Sequence, residues 1–196
     1  MIYSVRGNLI LMDAGYAVVE CGGVGYRVQT SITTQKQLKL NTETMLYTYM
    51  NVREDAMELF GFASKGELST FKMLIGITGV GPKVALAILS DLTSEQIAMC
   101  VSSGDSKTLT RANGVGPKLA QRIVLELKDK IKGVTDTAGF EVGKGSVIAD
   151  TGNVPKAVAA LAVLGYSAAD VTPILSKLDP TMSVEAMIAA TLKQMA

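Results

Sequence analysis

The sequence predicts an α+β chain of several domains: a small N-terminal β-barrel, a central all-α domain, a flexible linker and a C-terminal three-helix bundle. Three observations predict it. Short alternating apolar runs broken by glycine turns fill the first third. Apolar residues at helical spacing fill the middle and the end. A hairpin pattern in the middle third recurs 35 residues further on.

Residues 1–63 read as β. Asn8 to Asp13 runs into the turn Ala14-Gly15, and Tyr16 to Cys21 follows. Gly22-Gly23 is a second hairpin signal before Gly25 to Gln29. Leu46, Thr48, Met50 and Val52 fall on one strand face, with Tyr47, Tyr49 and Asn51 on the other. Met57 to Phe62 returns after Arg53-Glu54-Asp55. Five or six short strands in this length suggest a barrel of the oligonucleotide-binding type.

Residues 64–133 read as helical. Leu68, Phe71, Leu74 and Ile75 recur at helical spacing, and Thr93 with Gln96 is a capping-box pattern. A last helix opens at Pro117, carries the stripe Leu119, Ile123, Leu127 and Ile131, pairs Glu126 with Lys130, and stops at Gly133. Residues 134–152 have little periodicity and read as a linker. Residues 153–196 return to short amphipathic helices, with Ser167 and Ser183 as caps, in a bundle tethered rather than packed.

Composition narrows the function. The chain has no histidine, which removes Ser-His-Asp and Cys-His catalysis and every histidine-containing metal site. There is no GxxxxGK[ST] run for ATP. Cys21 and Cys100 are far apart and suit a reducing cytoplasm. No signal peptide or membrane-length apolar run is seen, and no cofactor or metal site is expected. The net charge of +1 conceals an asymmetry: residues 1–63 carry −1, 64–133 carry +4, and 134–196 carry −2. A polyanion contact belongs in the middle third.

The repeat lies there. Ile77-Thr78-Gly79-Val80-Gly81-Pro82-Lys83-Val84-Ala85 returns as Ala112-Asn113-Gly114-Val115-Gly116-Pro117-Lys118-Leu119-Ala120. Each copy is a helix-hairpin-helix: a helix, a Gly-Val-Gly turn, and Pro-Lys opening the next helix. The start of that helix is electropositive and has unpaired N–H groups that a phosphate can accept. Gly79, Val80, Gly81 and Lys83, with Gly114, Val115, Gly116 and Lys118, are therefore the candidate DNA-phosphate site. Arg122, one turn beyond Lys118, is an added candidate, and Arg27 and then Arg6 on the barrel are weaker ones, since a lone strand arginine is more often simply solvated. Val80 and Val115 also anchor each turn in the core. Nothing here reaches a base edge, so the device positions nucleic acid without reading sequence. Val84 and Leu119 stand where GxGxxG needs a third glycine, which argues against a dinucleotide site.

Four stretches carry a family resemblance: GGVGYRV at 22–28, VREDAMELFGF at 52–62, GVGPKVALAIL at 79–89 and GVGPKLAQRIVLELKDK at 114–130. With the domain order, they resemble the RuvA family of Holliday junction branch-migration subunits along the whole chain outside 134–152. The resemblance implies a non-catalytic, sequence-independent binder of four-way junction DNA in recombination and repair. It implies a homotetramer, with an octamer as the alternative, and recruitment of the hexameric ATPase RuvB through 153–196; the junction endonuclease RuvC is a further candidate partner. It also implies that Glu54 and Asp55 form an acidic pin at the junction centre. The second hairpin departs from the family in carrying Pro117-Lys118 where consecutive lysines are common. Other readings stay open: a generic duplex-binding repair subunit, a protein adaptor, or a nuclease or glycosylase using Asp91, Asp105 or Glu126.

Overall fold

The computed structural model describes residues 1–136, 153–163, 166–179 and 181–195. Five strands, β1 (Ser4–Asp13), β2 (Tyr16–Cys21), β3 (Val24–Thr30), β4 (Glu43–Val52) and β5 (Met57–Phe62), close into a barrel in the order β1-β2-β3-β5-β4. All neighbours are antiparallel except β3 and β5, which pair in parallel at Gln29↔Phe60 and Thr30↔Gly61. Closure is tight at that seam. A Cβ on Gly61 would lie 2.4 Å from Val28 Cγ1, so only glycine lets the strands meet there. Val5, Leu9, Ala17, Val19, Val28 and Leu46 fill the interior. Each large aliphatic among them contributes about 1.5–3 kcal/mol by leaving water.

The expected turns are present, with Gly15, Gly22 and Gly23 all at positive φ. A short helix, α1 (Ile32–Gln35), was not expected. It is one turn long, too short for an apolar period to announce it. The two faces of β4 behave differently from the simple alternation. Leu46 and Thr48 are buried inside the barrel side, while Tyr47 and Tyr49 pack against the helical core instead of facing solvent.

The middle domain comprises α2 (Lys65–Ile75), α3 (Pro82–Asp91), α4 (Ser94–Ser103), α5 (Ser106–Leu109) and α6 (Pro117–Asp136). Both capping-box bonds of Thr93 and Gln96 form. The backbone of α6 passes Gly133 and ends at Asp136, three residues later than the glycine suggested. Mid-helix glycine costs only about 1 kcal/mol and does not by itself end a helix. Side chains of α6 are described to Asp129, so the expected Lys130 pair and Ile131 lie outside the described residues, as does linker segment 137–152. Glu126 instead faces Arg122, 4.0 Å away.

Barrel and helices share one core. Phe71 of α2 is fully buried, with its ring 5.5 Å from Tyr49, 5.3 Å from Phe60 and 4.8 Å from Phe62. Beside it, Glu67 is buried and accepts hydrogen bonds from Ser31 Oγ and, at 2.7 Å, from Thr34 Oγ1. Burial pushes its carboxyl above the ordinary 4.5, against the lowering effect of those hydroxyls and the Ala63 amide. With the folded value raised, its contribution to stability is complete below the unfolded value and is lost as pH rises through the folded one. Melting temperatures measured between about pH 4 and 7 should therefore fall for the parent relative to Glu67→Gln as pH rises. A constant difference would mean that the hydrogen bonds cancel the burial.

The C-terminal helices are α7 (Asn153–Val163), α8 (Ala168–Leu175) and α9 (Val184–Met195). Ser167 and Ser183 cap as expected. The tethered arrangement is corrected: the bundle packs on the middle domain. Ala98 of α4 is buried in one cluster with Ala157, Leu161 and Ile188, and Met73 packs against both cores. Tyr166 donates to Glu95 Oε1 at 2.7 Å. Burial works to raise the Glu95 carboxyl, but hydrogen bonds from Thr93 and Tyr166 outweigh it and hold it below its ordinary value. Burial, then that hydrogen bond, pushes the Tyr166 phenol up, so the bond joins a neutral phenol to a carboxylate. The small side chain of Ala98 is what permits this close helix contact, and one alanine in a sequence gives no warning of it.

Candidate nucleic-acid interface

The two hairpins fold alike. Val80 N–H donates to Ile77 O at 3.0 Å and Val115 N–H to Ala112 O at 3.1 Å, closing each turn. Gly79 and Gly114 sit at φ 94° and 85°, the left-handed region that favours glycine. Val80 and Val115 are buried, as expected of anchors. Their amides are used inside the turn, however, which removes them from the expected phosphate donors.

The donors that remain lie one step on. The first intrahelical bonds run from Ala85 N to Gly81 O and from Ala120 N to Gly116 O. The amides of Lys83 and Val84, and of Lys118 and Leu119, precede them and have no intrahelical acceptor. At α3 no side chain caps the N-terminus, and Pro82 fixes φ where no donor exists. Gly81, Lys83, Gly116 and Lys118 are all exposed. An anion can therefore approach both helix ends.

The hairpins pack reciprocally. A Cβ on Gly79 would meet Leu119 Cδ1 at 3.4 Å, and one on Gly114 would meet Val84 Cγ2 at 3.5 Å. Leu119 and Val84 are themselves equivalent positions 35 residues apart. Each hairpin thus rests on the first turn of the other's helix, bringing both helix N-termini to one side of the domain.

The other candidates are more dispersed. Arg122 donates from Nη1 to Thr78 O at 3.3 Å and lies 4.0 Å from Glu126. Arg27 sits over the Tyr16 ring at 4.1 Å, and Arg6 is paired with Glu43 at 3.2 Å. Glu54 and Asp55 are exposed in a turn closed by Arg53 N–H to Ala56 O at 2.8 Å. Among the described residues, no basic side chain pairs with either carboxylate. Sequence reasoning passed over Lys72 and Lys107, which are exposed on the helices leading into the two hairpins. They too are 35 residues apart, so extending the repeat upstream would have found them.

The alternative catalytic carboxylates have structural work or no company. Asp105 caps α5 by accepting from Thr108 N at 3.1 Å, and the Thr108 hydroxyl holds its carboxyl below the ordinary range. Among the described residues, no three acidic or cysteine side chains cluster as metal ligands. No single described helix is long and apolar enough to cross a membrane.

A closed barrel fused to two mutually packed hairpins, each opening an uncapped or proline-started helix, defines a protein of the tandem helix-hairpin-helix class. Comparison with known families agrees piece by piece. Residues 1–61 match the RuvA N terminal domain, 71–129 the SAM-like helix-hairpin-helix tandem, and 156–196 the RuvA C-terminal domain. A Holliday junction branch migration complex subunit RuvA from Acetivibrio thermocellus is 41% identical over 100% of this chain and 99% of its own length. Those of Chlorobaculum parvum and Clostridium perfringens are 40% and 37% identical, over 100% and 96% of this chain and 98% and 96% of their own lengths. The chain belongs to the RuvA family.

Proposed function

We propose that this chain binds four-way DNA junctions by shape and serves as the non-catalytic subunit of a branch-migration complex in the cytoplasm. The observation that carries the proposal is the reciprocal packing of the two hairpins, which presents two helix N-termini with exposed Lys83 and Lys118 on one side. Phosphates accept from the free amides there, and the lysines add charge. Gly79, Gly81, Gly114 and Gly116 let the backbone approach, with Arg27 adding positive charge from the barrel. The names of the relatives support the junction as the ligand.

Glu54 and Asp55, with no basic partner among the described residues, act as an acidic pin at a barrel turn that repels converging phosphates and keeps the junction open. Self-association as a homotetramer is supported by apolar side chains exposed on the barrel, Ile10, Leu11, Met12 and Val24, and on α6, Leu125. A second tetramer on the other face would make an octamer. Residues 153–196 recruit the RuvB ATPase, whose motor supplies the energy, and RuvC is a further partner on the same junction.

The test is a gel shift of a four-way junction against linear duplex of the same sequences across a salt series. Tighter junction binding at every salt is expected. Equal binding would make the chain a general duplex binder, and no binding would leave the repeat a purely structural turn. In the same assay Glu54→Gln with Asp55→Asn should bind as well as the parent while changing the arm-to-arm distances seen by fluorescence transfer. Unchanged distances and unchanged migration rate would rule out the pin.

A further inference from the structure

We propose that Arg122 is a positioning residue that straps the two hairpins at one spacing, rather than a ligand for a phosphate. The proposal rests on the phosphate-binding role given to the hairpins above. Arg122 stands on α6, the helix opened by the second hairpin, yet its Nη1 donates to the carbonyl of Thr78 in the first hairpin's turn, at 3.3 Å. Glu126, one turn further along α6, lies 4.0 Å from its Nε. The planar guanidinium can face both partners at once, and the carboxylate, beyond hydrogen-bonding distance, adds a weak attraction on that side. That same carboxylate offsets the charge that a phosphate would need.

The strap lies beside the contact it reinforces. Leu119, one turn before Arg122, is the side chain beneath Gly79, the residue after Thr78. Packing alone sets how close the turn comes; a directed hydrogen bond also sets its angle. The tie runs in one direction only. The 35-residue repeat carries Arg122 onto Ala87 and Thr78 onto Asn113, and the methyl side chain of Ala87 has no polar group to return the bond. The first hairpin is therefore fixed to the second helix by a bond that its counterpart lacks. Two phosphate sites held at one separation bind without first paying to order themselves, so loss of the strap weakens binding without removing a phosphate contact.

This separates the strap from a direct contact by salt dependence. Each phosphate contact contributes about 0.9 to the slope of log affinity against log salt. Arg122→Gln should weaken junction binding by roughly fivefold to tenfold, the scale of one ordinary net hydrogen bond, with the slope unchanged. Lys83→Gln should lower the slope. In a double-mutant cycle, the effect of Arg122→Gln should depend on Lys83, across the motif. In the free protein, exchange of the Val80 amide, whose bond to Ile77 O closes the first turn, should quicken in Arg122→Gln, with α6 and the melting temperature little changed.

A slope lowered by about 0.9 in Arg122→Gln, or an effect independent of Lys83, would make Arg122 a phosphate ligand and overturn the strap. Unchanged affinity or unchanged exchange would overturn it too. If the parent prefers no junction but binds duplex, the junction reading fails while the same tests run on duplex. If it binds neither, the positioning role falls with the phosphate sites.

Discussion

Lys83→Glu together with Lys118→Glu should weaken junction binding at least about 100-fold near 0.1 M salt and lower the salt slope by roughly 2 per subunit. Both lysines are exposed at the second position of a helix whose first amides lack intrahelical acceptors. A glutamate there loses the attraction and also occupies the positive helix end itself, competing with the phosphate for the same N–H groups. Because the side chains are exposed, the fold should survive, which circular dichroism would check. An unchanged affinity with an intact fold would show that the hairpins do not hold the DNA. The glycines should be felt differently. Gly79 and Gly114 need positive φ, so changes there would damage the turn before they touched the charge.

Phe71→Ala should cost about 3–5 kcal/mol, the usual loss for a fully buried phenylalanine, and lower the melting temperature by roughly 10 °C. The ring touches Tyr49 of β4, Phe60 and Phe62 of β5, and lies in the helical core. It is therefore the residue through which barrel and hairpin domain share one interior. Removing it should also loosen the placement of Glu54 and Asp55 relative to the hairpins, so calorimetry is expected to show a lowered and broadened transition. A drop of only a degree or two would mean that the neighbouring aromatics close the gap and that the two domains are joined elsewhere.

Much of the chain was legible before any coordinates. Alternation and glycine turns located β2 and β5 to the residue, because period two and turn chemistry are local properties. The capping box at Thr93 and the starts of α3 and α6 at their prolines were local as well. So were the hairpins, since one motif repeated at a fixed offset carries its meaning in the backbone it requires. What escaped was of another kind. The single turn of α1 has no period to read. The buried Ser31–Glu67–Thr34 bonds join residues more than 30 positions apart. The docking of the C-terminal bundle on α4 depends on Ala98 and Tyr166, residue types found on any helix.

The sequence by itself determined the order of domains, the hairpin repeat, the concentration of positive charge in the middle third and the family. These follow from spacing, composition and the conformations that glycine and proline permit. Only the tertiary structure decided which hairpin amides are free, that each hairpin rests on the other's helix, and that Arg122 reaches back to Thr78. Those facts depend on distances between residues far apart in the chain, and such distances exist only once the apolar faces have closed on one another.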